Sequence, residues 1–344
     1  MVIIGIDPHK ASHTAAALDD SAQPLGQVRV QANSKTLQRL LEWAEPWPER
    51  SWAIEGANGL GRHLAQQLIG AGEVVVDVPA TLAARARLLQ TGHGRKTDSI
   101  DALSAATVAL HRTDLNVVAA DDHTTILRLL SDRRDELNEE RRRTINRLHR
   151  ILRDLIAGGA SIELSADIAA ALLGKVRAVT GANALRKAMA RELVVDVRRL
   201  DKALAQNRAR CAQAVAVSGT TLTEIFGIAE VVAAKVAGHT GDITRFASEN
   251  HFASYTGTAP IEASSGDVKR HRLSRAGNRK LNNALHLAAR TQTCHPGPGQ
   301  DYYRRKIADG KSPTEALRSL KRQISKAVYR QLVTDQSKKL ALTP

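Results

Sequence analysis

The sequence predicts an α/β domain at the N-terminus, then a long helical hairpin or coiled-coil arm, then a mostly helical C-terminal domain with a helix-hairpin-helix-like element. Three observations lead there. Apolar and alternating runs of strand length, interleaved with helical patterns, fill residues 1–80; from about 122 the period lengthens to that of helices rich in Leu, Ile and Arg; and from 219 the pattern becomes helix, Gly turn, helix.

The elements follow in order. VIIGID (2–7) is an apolar run ending in an acid. HTAAALDD (13–20) and GQVRVQA (26–32) are separated by short turns and complete a three-strand meander. Ser34 is the expected cap of KTLQRLLEWA, whose Leu37, Leu40 and Leu41 share a face. SWAIEGA (51–57) is a buried strand reaching Glu55, NGLGRHLAQQLIGAG a helix closed by Gly, EVVVDVP (73–79) a strand stopped by Pro79, and ATLAARARLLQ a helix. GHGRKTD is a loop and SIDALSAATVALHR a further helix. The order βββαβαβα is that of an RNase H-like fold; a doubly wound sheet would begin βαβ. Residues 124–157 and 184–215 read as two long helices. Leu127, Leu130, Leu137, Leu148, Ile151 and Leu155 lie on a heptad seam that Arg134 and Arg141 interrupt, which suits an antiparallel hairpin or a dimer arm. Lys321, Arg322, Lys326, Arg330, Lys338 and Lys339 mark a basic helix running into a frayed end. The expected domains are 1–115, 122–215, 216–310 and a basic helical tail, 311–344.

Composition bounds the function. Lys and Arg number 50 against 35 Asp and Glu, a formal charge of +15, which is the footprint of a nucleic-acid partner. A membrane surface is the weaker alternative, since the basic segments lack an opposing Trp/Phe/Leu-rich face. No run approaches the length of a transmembrane helix, and Asp7 stands where a signal peptide would stay apolar, so a cytoplasmic protein is expected. Two cysteines, Cys211 and Cys294, form neither a disulfide framework nor a zinc motif. Aromatic residues are 3% of the chain, so charge contacts to a nucleic-acid backbone should outweigh base stacking.

Four carboxylates stand out. Asp7 ends the first strand, Glu55 the fourth, and Asp98 and Asp101 lie three apart at a helix start, on one face. First and fourth strands are neighbours in an RNase H-like sheet, so Asp7 and Glu55 would meet, and the helix start can pack beside them. Each acid alone has an ordinary explanation, the helix dipole for Asp98 among them. Together they would repel unless hard cations neutralise them, and magnesium, with manganese the alternative, suits oxygen ligands. Two such ions about 4 Å apart can stabilise both the attacking and the leaving oxygen of a phosphodiester. Pro8, His9 and Lys10 follow Asp7 where a sugar-kinase phosphate hairpin would carry Gly and Ser or Thr, and no P-loop is present. The most basic, turn-rich segment, 262–283, holds a second constellation. Ser264, Ser265 and Gly266 precede Lys269, Arg270, Arg272, Arg275, Arg279 and Lys280. A serine attacking phosphate needs cations for the charge that builds, and the arginines could supply it. His271 is the local imidazole, with like charges against its protonation.

GIDPHK, the IEG strand, the KTDSIDA helix start, the Gly hairpin and SSGDVKRHRLSRAGNRKLNNAL, in this order, resemble the IS110 insertion-sequence transposases over about 1–110 and 215–310. The resemblance implies a RuvC-like DEDD domain and a transposase C-terminal domain. It implies Asp7, Glu55, Asp98 and Asp101 as magnesium ligands and Ser265 as nucleophile, with Ser264 the fallback. It further implies donor and target DNA, guidance by a structured noncoding bridge RNA, a covalent phosphoserine link, strand exchange and religation. A tetramer, with the acids of one protomer meeting the serine of another, also comes with the resemblance. One departure is the hairpin, Gly227-Ile228-Ala229 where the family has Gly-Ile-Gly, because Ala approaches a phosphate less closely. Two other functions are weighed: a RuvC-like junction nuclease that dispenses with Ser265, and a nucleic-acid-binding protein without catalysis.

Overall fold

The computed structural model describes residues 1–91, 97–178, 180–262, 271–272 and 277–342. The chain divides into two compact units, Met1–Asp121 and Asp122–Pro344. Among the described residues, no helix is long and apolar enough to cross a membrane.

The first unit runs β1 (Val2–Pro8), β2 (Ser12–Leu18), β3 (Pro24–Gln31), α1 (Thr36–Ala44), β4 (Arg50–Glu55), α2 (Arg62–Gly70), β5 (Val75–Val78), α3 (Ala80–Thr91), α4 (Asp98–His111) and β6 (Asn116–Val117). The sheet order is β3-β2-β1-β4-β5-β6. The meander β1–β2–β3 is antiparallel, while β4 and β5 run parallel to β1 and its neighbour. This is the RNase H-like arrangement that the element order predicts. The antiparallel β6 on β5 is two residues long, too short to leave a period in the sequence.

Alternation divides the sheet into two faces. Ile4, Ile6, Ala15, Ala17, Trp52 and Ile54 pack against Leu40 and Ala44 of α1 and Leu64 and Leu68 of α2. Ile3, Leu18, Ala53 and Val78 meet Ala83 of α3 and Ala105, Ala106 and Val108 of α4. Gly5 brings α4 onto β1: a Cβ there would lie 2.0 Å from the Ala102 carbonyl oxygen and 2.5 Å from the Ala106 nitrogen. At the opposite end of the strands, Glu73 accepts hydrogen bonds from Arg50 Nε (3.0 Å) and Trp52 Nε1 (2.6 Å). Burial alone would raise its carboxyl, but these bonds and the Arg50 charge hold it below the ordinary range.

Two helix starts differ from expectation. Ser34 does not cap α1; Lys35 occupies the cap position without a side-chain bond. The entry is instead fixed by Asn33, whose Oδ1 accepts from the Lys35 N–H at 2.9 Å and whose own N–H donates to Thr36 Oγ1 at 2.9 Å. The helix expected from Asn58 begins at Arg62, because Gly59 and Gly61 both donate to the Gly56 carbonyl in a tight turn.

The second unit contains α5 (His123–Leu155), α6 (Ala166–Lys175), α7 (Gly181–Ser218), a 3-10 turn (Leu222–Glu224), α8 (Glu230–Thr240), a second 3-10 turn (Ile243–Arg245), α9 (Glu249–Tyr255), β7 (Ile261–Glu262), β8 (His271–Arg272), α10 (Arg279–Cys294), α11 (Pro298–Ala308) and α12 (Pro313–Leu342). The long helices α5 and α7 pack along one another. Leu148 and Leu152 of α5 meet Leu164, Leu173, Val194 and Val197 at one end. At the other, Leu127 and Cys211 enter a core shared with α8, α10 and α12. The seam arginines do not break the pairing. Arg134 donates to the Leu204 carbonyl at 3.1 Å, and Arg141 Nε lies 2.5 Å from Asp201 Oδ1, both partners being on α7.

The first limb of the Gly hairpin is a single 3-10 turn. Gly227 has φ +85°, and a Cβ there would sit 2.9 Å from the Ala288 carbonyl of α10, so close packing already accounts for this glycine. The expected basic helix forms, as α12, and it is also a core helix. Ala316, Leu320, Ile324, Val328 and Leu332 recur every fourth residue of α12 and are buried, while its described basic residues lie mostly on its other faces. Lys321 is the exception: buried, it donates to Asn282 Oδ1 at 2.7 Å.

Candidate active site

Strand register builds one row across the sheet. Asp7 pairs with Thr14, and Thr14 with Arg29. Ile6 pairs with Ile54 on β4, so Asp7 and Glu55 are the next neighbours along the parallel pair. Directly paired side chains share a face. Arg29, Thr14, Asp7 and Glu55 therefore line up on the α4 side, where β1 and β4 end.

Helix α4 begins over that row. Thr97 caps it, its hydroxyl accepting from the Ile100 N–H at 3.3 Å. Asp98 and Asp101 occupy the first turn, where the helix dipole favours negative charge. Asp7 is 7% exposed and Asp101 2%. Arg87 of α3 donates to the Asp101 carboxylate, which compensates a charge that would be costly to bury alone.

The structure brings Asp7 and Asp98 together with His9. One ligand atom from each of the three lies within 4.8 Å of the others. His9 Nδ1 is 3.4 Å from Asp7 Oδ2, and His9 Nε2 is 4.0 Å from Asp98 Oδ1. The turn that carries His9 is closed by its N–H donating to the Ser12 carbonyl at 2.9 Å. Glu55 stands beside Asp7 by register, and Asp101 one helical turn beyond Asp98; neither belongs to this three-residue group. Two carboxylates and an imidazole so close fit a divalent cation. By sequence, His9 suits either lining the site or capping the turn after Pro8; its alternation with Asp7 is the signal for the first. Across β1, His13 on the other face is lowered by burial and by the nearby His9 and His63, so it adds little positive charge at neutral pH.

The second constellation is described in part. Ser264, Ser265, Lys269, Arg270 and Arg275 lie outside the described residues. The strands on either side of the serines, β7 and β8, pair through Ile261–Arg272 and Glu262–His271, which puts the Arg272 backbone in a hairpin ladder. Arg279 is exposed at the start of α10. Lys280 is already engaged, 2.6 Å from Asp135 and 3.4 Å from Asp132. Asn278 caps α10 through the N–H groups of Lys280 and Leu281, and its amide reaches the Tyr255 hydroxyl at 3.3 Å. Burial would raise the Tyr255 phenol, but Asn278 and Arg245, stacked 4.5 Å from its ring, bring it below the ordinary value.

With the geometry in place, comparison defines the class: an insertion-sequence transposase, an enzyme that cuts and rejoins DNA. An IS110-type DEDD transposase model matches residues 4–156, and the model described as "Transposase IS116/IS110/IS902 family" matches 219–304. The chain belongs to the IS110 family of transposases. It is 29% identical to the insertion element IS116 44.8 kDa protein of Streptomyces clavuligerus, over 93% of this chain and 91% of that one. It is 27% identical to the insertion element IS900 42 kDa protein of Mycobacterium paratuberculosis, over 92% of each. Among solved structures, Thermus thermophilus RuvC in complex with a Holliday junction substrate aligns with a TM-score of 0.29 at 18% identity, over 34% of this chain and 99% of that one.

Proposed function

We propose that this transposase exchanges DNA strands through a serine–phosphodiester intermediate, with donor and target DNA chosen by a structured noncoding guide RNA. The observation that supports metal-assisted phosphodiester chemistry is the acid row, Asp7 and Glu55 adjacent on parallel strands with Asp98 and Asp101 at the start of the helix above them; the serine and the guide RNA are what the family resemblance implies. Asp7, Asp98 and His9 would hold a divalent cation, magnesium with manganese accepted, and Glu55 and Asp101 complete the acidic set. A bound cation there supplies neutralisation of the acids and of the charge that builds on a phosphodiester in attack.

Ser265 is the nucleophile. Its Oγ forms a bond to phosphorus as the bond from phosphorus to a deoxyribose oxygen breaks; the seryl proton is given up and the leaving oxygen takes one. Attack by a second deoxyribose hydroxyl on the phosphoserine reverses the exchange and rejoins DNA, so no external energy source is needed. Lys269, Arg270, Arg272, Arg275 and Arg279 would supply positive charge to the phosphate backbone, while Lys280 holds the α10 start through Asp135. Sequence choice by RNA pairing leaves the protein to grip backbone and shape, which accords with the +15 charge and the scarcity of aromatic rings. The working form is a homo-oligomer, up to a tetramer, in which the acids of one protomer meet the serine of another.

Full-length protein, with and without RNA transcribed from the flanks of its element, is incubated with matched donor and target duplexes and magnesium. RNA-dependent recombinant product, lost in Ser265→Ala, is expected. RNA-independent cutting that survives Ser265→Ala identifies a metal-dependent nuclease instead.

A further inference from the structure

Beside the acid row a groove of about 560 Å³ opens over the edge strand β3. Thr14, Gln27, Val28, Arg29, Thr97, Asp98 and Ser99 line it. Arg29 is its single basic group among the described residues. The Arg29 guanidinium is anchored, Nε and Nη2 donating to Ser12 Oγ at 3.2 and 3.0 Å. Its Nη2 also lies 3.5 Å from Asp98 Oδ2, yet 67% of the side chain is exposed.

Stability does not explain this placement. An ion pair this exposed adds little to stability. A charge on an edge strand usually points into solvent to deter pairing with other chains; Arg29 is instead tied back along the row toward Asp98. Ser12 takes two of the five guanidinium donors and Asp98 stands against a third, which leaves the Nη1 pair for an oxyanion. Among the described residues the rest of the lining offers the hydroxyls of Thr14, Thr97 and Ser99, the Gln27 amide, Val28 and, at its end, the Asp98 carboxylate, and no aromatic ring. Such a surface suits sugar and phosphate and offers no platform for base stacking.

We infer that this groove is the track along which the sugar–phosphate backbone of the DNA strand to be cut reaches the acid row, with Arg29 as its phosphate clamp. The inference rests on the acid row being the reacting centre, since that is where the groove leads. It assigns Arg29 a contact to the phosphate next to the reacting one, with Gln27 and Thr14 beside the adjoining sugar. The volume suits about one nucleotide, within the ~300–1,000 Å³ of typical small-ligand sites. DNA is favoured over the guide RNA because the groove ends at the acids that act on DNA.

Two measurements on the full chain test it. The first is DNA affinity against salt in calcium, read by fluorescence anisotropy. Loss of one phosphate contact should reduce the log–log salt slope by about 0.7–0.9 in Arg29→Ala, with Arg29→Lys restoring most of it. The second is a disulfide trap. Gln27→Cys, in a background where the exposed Cys294 is serine, should cross-link to DNA bearing a thiol-tethered phosphate next to the cut site, and not to thiol-bearing guide RNA. An unchanged slope without the cross-link, while Asp7→Ala still abolishes cutting, overturns the track and leaves the reacting centre standing. Cross-linking to RNA overturns the assignment to DNA. Full cutting by Asp7→Ala overturns both the track and the reading beneath it.

Discussion

Gly5 is where fold and acid row meet most closely, and Gly5→Ala tests that junction. A Cβ at position 5 would stand 2.0 Å from the Ala102 oxygen, 2.5 Å from the Ala106 nitrogen and 2.9 Å from its Cβ. Real Cβ contacts essentially never fall below 3.0 Å, so α4 must retreat by about 1 Å. Two of the three obstructing atoms are backbone, so no rotamer change relieves the clash. Overpacking of this kind costs about 1–3 kcal/mol, which at about 4 °C per kcal/mol lowers the melting of the first unit by about 4–12 °C. All three tryptophans, Trp43, Trp47 and Trp52, lie in that unit, so their fluorescence follows it alone. The retreat also carries Asp98 and Asp101 away from Asp7, and a 1 Å misplacement of reacting groups costs about 10²-fold in rate. Strand exchange measured well below the new midpoint should fall by that factor. Gly26→Ala is the control, since its Cβ would meet only Trp47 and Trp43, at 3.7 and 3.8 Å. A Gly5→Ala protein with unaltered melting and full activity would refute the packing argument.

Other expectations follow from the same reasoning. Thr97→Ala removes the cap of α4 and should cost about 1 kcal/mol in the tryptophan-detected melt. Leu148→Ala empties a fully buried position between α5, α6 and α7 and should cost about 2–5 kcal/mol, read as loss of helical ellipticity at lower denaturant. Asp135 is held below its ordinary value because hydrogen bonds and charges from Lys235 and Lys280 outweigh burial. A depressed carboxyl stabilises above its unfolded value, near 3.8, and that contribution is lost as pH falls through the folded value. Asp135→Asn should therefore destabilise the second unit at neutral pH, by about 2 kcal/mol for a partly open pair, and flatten its stability profile below about pH 4.

Much of the acid row was legible because its signals are positional. An acid at each of two strand ends and two at a helix start need only the element order to bring them together. Arg29 was not legible: on an alternating edge strand an outward arginine is ordinary, and only the register with Thr14 and Asp7 sets it in the row. His9 gave an ambiguous signal after Pro8. The Ser34 cap failed because the local N–H groups find other acceptors: Asn33 Oδ1 takes the Lys35 N–H and Thr36 Oγ1 the Asn33 N–H. The basic residues of α12 masked the four-residue spacing of Leu320, Ile324, Val328 and Leu332, which is the stronger indicator of a core helix. Arg134 and Arg141 read as breaks in the seam because a single chain segment does not reveal the Leu204 carbonyl and Asp201 carboxylate waiting on the opposite helix.

The serine–phosphodiester intermediate is tested most directly by mass spectrometry of the adduct. Protein, guide RNA, magnesium and nicked donor DNA are quenched in denaturant, and nuclease and trypsin digestion follows. The tryptic fragment Phe246–Lys269 contains Ser265 together with Ser264, Ser254, Ser248 and Tyr255, so one spectrum discriminates the candidates. A nucleotide phosphate on Ser265, missing from Asp7→Ala, is the predicted result. DNA cut in a metal-dependent way with this fragment unmodified, or the nucleotide found on Tyr255, would contradict it.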